Sequence, residues 1–393
     1  MHTPMWRQAT RMTVLSGLMA GSAAAFATSG AYLTGNGPAA SGMGGVSIAL
    51  PQDTAVAADN PAGMASVGSR LDIYGVLIST ETDASFGTPA NHFFSRVNVP
   101  VPFMGVNYQV APDWTLGVSV TGAGLASHYN TPVVPVPGLG PAKASYTLVN
   151  TAPTVTYKPL PNLSLGASVI IGVEQFRANG LLGPAADGAM TPLVSHGNAY
   201  SVGVGGAFGV LWRPVPVLSV GASYFTKMNF STLSGYEHDL LVSSGGRLNT
   251  PSHYGFGIAV QPLPALTIGV DYLRIEWSKA AGFDNPASFN WHDQSVVRFG
   301  TAYTINDRWT VRAGYSMASS FVDSNHTLAN FYSPGVIDRA VTGGLTYSVD
   351  RSNEISLAIE YDIPRTIVGT GPSTGTNIRT NLQVYTLGYS HKF

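Results

Sequence analysis

The chain has 393 residues, of which only 10% are charged and 45% are hydrophobic, with a net charge of −1. Soluble domains carry about 25% charged residues, so this composition argues against a row of ordinary soluble domains. The near-neutral charge gives no reason to expect a nucleic-acid partner. The sequence has no cysteine, which excludes a disulfide framework and a thiolate metal site.

The hydropathy of the sequence indicates which class of protein it encodes. Mean hydropathy is +0.14, yet after the N-terminus no apolar run reaches the roughly 18 residues that a membrane helix needs. Tyr occurs 18 times and Phe 16 times. Low charge, many aromatic residues and short apolar runs favour a membrane β-barrel, in which only alternate residues face lipid.

Residues 1–27 have the features of a secretory signal peptide. Arg7 and Arg11 form a positive start, residues 12–26 are apolar or small, and Ala25-Phe26-Ala27 is an A-x-A cleavage site. The apolar part is too short to span a bilayer. We therefore expect the mature chain to begin near Thr28.

Residues 28–68 differ from everything that follows. They are rich in Ala and Gly and show no strand periodicity. Small residues permit close packing inside a barrel that wraps around them. We predict that this segment is an N-terminal plug, or hatch; a disordered N-terminal arm is the alternative.

Residues 69–393 are predicted to form an all-β, transmembrane antiparallel barrel of about fourteen strands. Six short connections carry Pro, Asn or Asp turn signals, and they alternate with longer polar or Gly/Pro-rich stretches. Short turns on one side and long loops on the other are typical of outer-membrane barrels. The predicted strands are residues 70–80, 93–110, 114–126, 143–158, 163–178, 198–212, 217–230, 247–261, 265–278, 292–305, 309–320, 337–349, 355–366 and 381–393.

Alternation within the strands predicts which side chains face the lumen. The apolar sets should face lipid, whereas the charged residues of the opposite parity should face inward. These lumen-facing charges are Arg298, Arg312, Glu360 and Asp362. In residues 265–278 the charged Arg274 shares the parity of Ile268, so either a bulge shifts the register or the strand has left the hydrocarbon zone.

The chain ends in an alternating segment that closes on Phe393. A terminal Phe on such a strand resembles the signal by which outer-membrane barrels are recognised for assembly. We therefore expect the barrel-assembly machinery to be a partner and the outer membrane to be the location.

Two regions of the chain resemble the FadL/TodX family of outer-membrane transporters for long-chain fatty acids and hydrocarbons. The first is Gly42-Met43-Gly44-Gly45 with Asp59-Asn60-Pro61-Ala62-Gly63-Met64. The second comprises several motifs in order, Leu266-Thr267-Ile268-Gly269-Val270-Asp271-Tyr272, Trp291-His292-Asp293-Gln294-Ser295-Val296-Val297-Arg298-Phe299-Gly300 and Trp309-Thr310-Val311-Arg312-Ala313-Gly314-Tyr315. Residues 127–250 resemble the family only in the rhythm of their strands.

This resemblance implies a fourteen-stranded monomer with a hatch in the lumen, no cofactor and no energy source. It further implies that a hydrophobic ligand binds in the lumen and leaves sideways, into the outer-membrane lipid, beside a kinked third strand.

Several residues of this chain are candidates for those roles. Tyr32 and Leu33 are the large apolar residues that precede Met43, and we expect them to line the ligand pocket; the alternative is that they only anchor the hatch to the wall. Asn60-Pro61-Ala62 is predicted to be a hinge or lock of the hatch. Gly122 and Gly124 lie in the third predicted strand, where glycine weakens pairing, and we assign the lateral opening to them.

The sequence leaves two other functions open. An outer-membrane hydrolase is one, but His238-Asp239, His292-Asp293 and Asp323 with His326 fall in predicted loops without a nucleophile signature. No spacing of His, Asp or Glu predicts a metal site. A non-specific porin is the other. The favoured prediction is a non-enzymatic channel for passive uptake of hydrophobic compounds; the sequence does not identify the ligand.

Overall fold

The computed structural model describes residues 30–184 and 190–393, so the predicted signal peptide lies outside the described residues. Within these ranges fourteen long antiparallel strands each pair with the next along the chain, and the first also pairs with the last. The barrel is therefore closed, as predicted.

The strands are numbered in chain order. They are β1 Arg70–Phe86, β2 Thr88–Ala111, β3 Trp114–His128, β4 Lys143–Leu160, β5 Leu163–Asn179, β6 Ala199–Val215, β7 Leu218–Phe225, β8 His253–Leu263, β9 Leu266–Ile275, β10 Gln294–Asn306, β11 Trp309–Ala318, β12 Arg339–Ser348, β13 Asn353–Ile367 and β14 Ile378–Lys392.

Shorter elements lie between and before these strands. Short strands are Leu182–Pro184, Met190–Pro192 and Asn229–Phe230. The α-helices are α1, Gly37–Gly42, and α2, Thr327–Asn330. The 3₁₀-helices are Thr54–Ala58, Pro61–Ser66, Tyr236–His238, Val242–Ser244, Trp277–Lys279, Ser324–His326 and Gly371–Ser373. Among the described residues, no helix is long and apolar enough to cross a bilayer.

Burial alternates along the strands with a period of two, as β13 illustrates. Ile355, Leu357 and Ile359 are exposed on the outer surface, whereas Ala358 and Glu360 are buried in the lumen. Successive side chains of a strand point to opposite faces, so this sequence pattern alone sorts lipid-facing from lumen-facing residues.

The predicted turns mark the strand ends to within a few residues, but one predicted loop is wrong. Residues 81–92 form a hairpin in which β1 and β2 continue to Gly87. Cross-strand polar pairs support this extension: Arg96 donates to Glu81, and the His92 ring contacts Asp83. Residues 247–252, predicted as strand, precede β8 and contribute only an isolated bridge from Thr250 to Met228.

Strand β9, whose sequence pattern breaks at Arg274, pairs in a regular register. It pairs without a shift with both β8 and β10 from Ile268 to Ile275. Arg274 instead lies at the outer end of the strand, where it forms an ion pair with Asp293 in the following loop. The regular register excludes a bulge, and the position of Arg274 at the strand end is what the second alternative expects.

Residues 30–68, the N-terminal segment, fill part of the lumen. A Cβ added at Gly314 of β11 would lie 2.1 Å from the Met43 carbonyl carbon, and one at Gly300 of β10 would lie 2.4 Å from the Met43 oxygen. Only glycine leaves room for backbone to pack on backbone at these points. At the outer end, the loops close over the lumen with a buried aromatic cluster that includes Trp277, Trp291 and Phe321.

Candidate functional site: a lumenal cavity beside an opening in the wall

A small cavity lies between the N-terminal segment and the barrel wall. Its volume is about 90 Å³, and apolar side chains line most of it: Leu33, Ala123, Ile170, Phe225, Met228 and Leu273. An apolar cavity of roughly 150 Å³ takes up one benzene ring. A ligand of that size therefore requires the lining to move.

Tyr32 and Leu33 both line this cavity. The Tyr32 ring lies 5.5 Å from the rings of both His253 and Trp277, and His253 stacks on Phe225 at 4.4 Å. These ring separations fall within the range of favourable aromatic contact. The N-terminal segment thus contributes one wall of the cavity, and Phe225 of β7 and His253 of β8 contribute another, while Trp277 packs on the Tyr32 ring.

Asn60 fixes the N-terminal segment to the wall. Its Nδ2 donates to the carbonyl oxygen of Ile48 at 2.7 Å and to that of Val210 in β6 at 3.0 Å, and its Oδ1 accepts from the Ala62 N–H at 3.1 Å. The last bond caps the 3₁₀ turn that begins at Pro61. All three residues of Asn60-Pro61-Ala62 are buried, so the structure places this tripeptide at a tether between segment and wall.

The four charged residues expected in the lumen lie there, and three of them bind the N-terminal segment directly. Arg298 donates to the Gly45 carbonyl at 3.1 Å and lies 3.6 Å from Asp59. Arg312 donates to the Gln52 side chain at 3.0 Å, and Glu360 accepts from the Thr34 hydroxyl at 2.5 Å. Asp362 is buried on the same face. Charge-assisted bonds of this kind are stronger than neutral ones, so they hold the segment in the lumen.

Two further carboxylates of the barrel wall, which the sequence analysis did not single out, also bind the N-terminal segment. Asp271 accepts from the backbone N–H of Ser47 and of Ile48, and Asp72 accepts from that of Thr54. Each is fully buried. Their inward parity is visible in the sequence, but no local pattern reveals their partners, and Asp271 is 224 residues from Ser47.

The wall of the barrel is open between β2 and β3. Their pairing runs from the turn only as far as Met104 and Val120, although β2 continues to pair with β1 and β3 continues to pair with β4 up to His128. Gly122 and Gly124 lie just beyond the last pair. The Gly124 N–H donates instead to the Ala31 carbonyl of the N-terminal segment at 2.9 Å.

A second cavity, of about 200 Å³, occupies this opening on the outer side of the wall. Its lining is almost wholly apolar and includes Val101, Met104, Val120 and Val149. Both cavities are lined by Thr121, Gly122 and Ala123. One short stretch of β3 therefore separates the lumenal cavity from the membrane-facing surface.

Comparison with known proteins shows which family has this architecture. A family model described as outer membrane protein transport protein (OMPP1/FadL/TodX) matches residues 14–391. The comparison with curated proteins returned no match.

Solved structures share the fold. The toluene transporter TbuX of Ralstonia pickettii is similar with a TM-score of 0.69 and 18% identity over 92% of this chain and 99% of that one. The toluene transporter TodX of P. putida gives a TM-score of 0.70 and 19% identity over 92% and 99%. A FadL homologue of Pseudomonas aeruginosa gives 0.68 and 16% over 93% and 100%. With the family model spanning nearly its whole length, the chain belongs to the OMPP1/FadL/TodX family of outer-membrane transport proteins.

Proposed function

We propose that this barrel takes up small hydrophobic compounds passively, binding them in the lumenal cavity and releasing them sideways between β2 and β3. The observation that carries the proposal is the shared stretch Thr121-Gly122-Ala123, which lines both cavities where strand pairing stops. The neighbours named as toluene transporters support a hydrophobic cargo.

Release through the wall is physically preferable to release into water. Burying an apolar group in lipid is worth about 0.8 kcal/mol per CH₂, so an aqueous exit faces a barrier that grows with the ligand. An opening in a lipid-facing wall normally exposes unpaired backbone groups at a cost of several kcal/mol each. The bond from Gly124 to Ala31 supplies a partner for one such group.

In this proposal residues 28–68 act as the hatch. A fourteen-stranded barrel is too wide for wall side chains alone to close, so a separate segment has to block it. Tyr32 and Leu33 contact the ligand, and Asn60-Pro61-Ala62 holds the hatch to the wall while the segment before it moves. Such movement enlarges the cavity to the size of its ligand.

We infer transport rather than catalysis, because the family consists of transport channels. The loop histidines have a structural role that needs no chemistry: His292 and His326 both contact Asp323, which joins two outer loops. A hatch held to the wall by buried hydrogen bonds to Arg298 and Glu360 also disfavours an open, non-specific porin. The channel is proposed to act as a monomer after insertion by the barrel-assembly machinery.

The test replaces Gly122 and Gly124 together with Val and measures uptake of radiolabelled toluene by intact cells. A Cβ at Gly122 would lie 2.8 Å from Val101 Cγ1, so the bulkier side chains obstruct the opening. Uptake should fall to the level of cells that lack the protein, while heat-modifiable gel mobility stays normal.

The matched control replaces Gly75 and Gly343 with Val. A Cβ at Gly75 would have no neighbour within 4 Å, and one at Gly343 only the Arg312 carbonyl at 3.9 Å. This control should assemble and transport like the wild type. Undiminished uptake by the Gly122/Gly124 variant would refute the wall exit.

A further inference from the structure

The opening in the wall continues outward as a groove on the membrane-facing surface. Above its apolar part lies a third cavity, of about 370 Å³, which shares Thr147 with it. In β3 and β4, His128, Lys143 and Ser145 line this upper cavity and have the parity opposite to Gly117 and Thr156, both of which face the N-terminal segment. These three side chains therefore project towards lipid, whereas Ser127 and Ala144 in the same lining have the inward parity.

The height of this upper cavity can be estimated along β3. Trp114 at the start of β3 stacks on Tyr157 at 4.6 Å, and both are exposed, as expected for the aromatic girdle at one membrane interface. A strand of 15 residues, rising about 3.3 Å per residue and tilted by about 45°, spans roughly 33 Å of height. The apolar band of such barrels is about 25 Å tall, so His128 lies at the level of the outer lipid head groups.

This level carries positive charge without a counter-ion. Lys143 lies opposite His128 in the β3–β4 pairing, and Arg177 lies opposite Ser145 in the β4–β5 pairing. Within residues 30–184 and 190–393, neither Lys143 nor Arg177 forms an ion pair, and Arg177 Nε is buried without a hydrogen-bond partner. The fourth basic residue of the cavity, Arg96, is already paired with Glu81.

We propose that this groove binds one anionic lipid of the outer leaflet. Lys143 and Arg177 hold the phosphate of its head group, because both cations project from the wall at head-group level. One acyl chain lies along the apolar part of the groove against Val149, Val120 and Met104 and covers the opening at Gly122 from outside. The proposal goes beyond the transport function and does not depend on the identity of the cargo.

A bound acyl chain at this place would have a definite effect on the wall. It covers the backbone that β2 and β3 leave unpaired, and it keeps the lumenal cavity closed to the leaflet when no ligand is leaving. An outgoing ligand then displaces one chain of a lipid rather than opening a hole.

The test is retention of added lipid by the full-length protein in detergent, measured by native mass spectrometry. The probes are phosphatidylglycerol and phosphatidylcholine with identical acyl chains. The wild type should retain phosphatidylglycerol several-fold better than phosphatidylcholine, and the preference should decline as ionic strength rises. Lys143→Ala with Arg177→Ala should abolish the preference.

The matched control removes the same charge at the other end of the barrel, by Lys158→Ala with Arg213→Ala, and should keep the preference. Heat-modifiable mobility verifies folding of each variant. Equal retention of both lipids by the wild type, or an unchanged preference in the Lys143/Arg177 variant, would overturn the proposal.

A third arm separates a leaflet lipid from a carboxylate cargo. Because the sequence has no cysteine, Ser145→Cys accepts a single fluorescent label inside the groove, and Ser79→Cys in β1 serves as the reference position. Phosphatidylglycerol with brominated acyl chains should quench the label at position 145 more than the one at position 79. If added laurate abolishes this difference at equimolar concentration, the groove belongs to the cargo and the assignment to a membrane lipid is wrong.

Discussion

At the scale of single residues, Asn60 joins the N-terminal segment to the barrel wall through its side-chain hydrogen bonds. Asn60→Ala leaves the carbonyl oxygens of Ile48 and Val210 without this donor in a buried site. An unsatisfied buried group costs about 1–3 kcal/mol, and the loss falls on the attachment of the hatch rather than on strand pairing. We expect faster entry of small sugars into proteoliposomes with normal barrel assembly. Asn162→Ala, at an exposed turn, is the control; identical sugar permeability in both variants would mean that Asn60 is not a tether.

The outer loops should respond to acid through Asp323. Burial opposes ionisation, but hydrogen bonds from His292 and His326 outweigh it and lower the pKa of Asp323 to about 2 from an ordinary 3.8. A carboxyl whose pKa is lowered on folding adds stability above its ordinary pKa and loses it as pH falls towards the lowered value. Hydrogen exchange in residues 319–338 should therefore be slow above pH 4 and accelerate between pH 4 and 2. In Asp323→Asn it should be fast throughout, whereas Asp113→Asn should match the wild type; a flat profile in the wild type would contradict this account.

The residues of the lumenal cavity mark the limit of what the sequence can predict at this scale. Tyr32 and Leu33 stand out because they are large apolar residues in a segment of small ones. Phe225 and His253 do not stand out, since each is one aromatic residue among many in the strands. Only closure of the barrel brings them together, and no local pattern encodes that meeting.

At the scale of elements, the hatch depends on close contact between its backbone and wall glycines. In Gly314→Val the new side chain would meet the Met43 carbonyl carbon at 2.1 Å, and rigid backbone lies on both sides. The segment around Met43 should be displaced, so limited proteolysis should cleave within residues 30–68 while the barrel stays resistant. Gly343→Val, one strand away and facing outward, should leave the segment protected. Equal protection of both variants would show that the contact is not required.

The strands themselves are predicted well because their signals are local. Turn residues such as Pro112-Asp113 and Pro161-Asn162 stop one strand and start the next within two positions. The β1–β2 hairpin was missed beyond residue 80 because its polar residues resemble a loop. They are strand residues whose charges are satisfied by cross-strand pairs such as Glu81 with Arg96, and this pairing becomes visible only in the register.

At the scale of the whole molecule, the barrel and the hatch have separate roles. The wall is a ring of paired strands interrupted only where β2 and β3 separate, and residues 30–68 fill what would otherwise be a wide lumen. Deleting residues 28–64 should convert the protein into a channel for small polar solutes, seen as large steady conductance in planar bilayers. The intact chain should show little conductance under the same conditions. If the deletion variant folds but stays closed, the outer loops rather than the hatch seal the lumen.

Reversible closure of the opening between β2 and β3 tests the central claim most directly. Val101→Cys with Gly122→Cys can form a disulfide across it, because a Cβ at Gly122 lies 2.8 Å from Val101 Cγ1 and the chain has no other cysteine. The measurement is uptake of radiolabelled toluene by cells carrying this variant, before and after a reductant. The account predicts that uptake is blocked in the oxidised protein and returns on reduction. Equal uptake in the two states would contradict it.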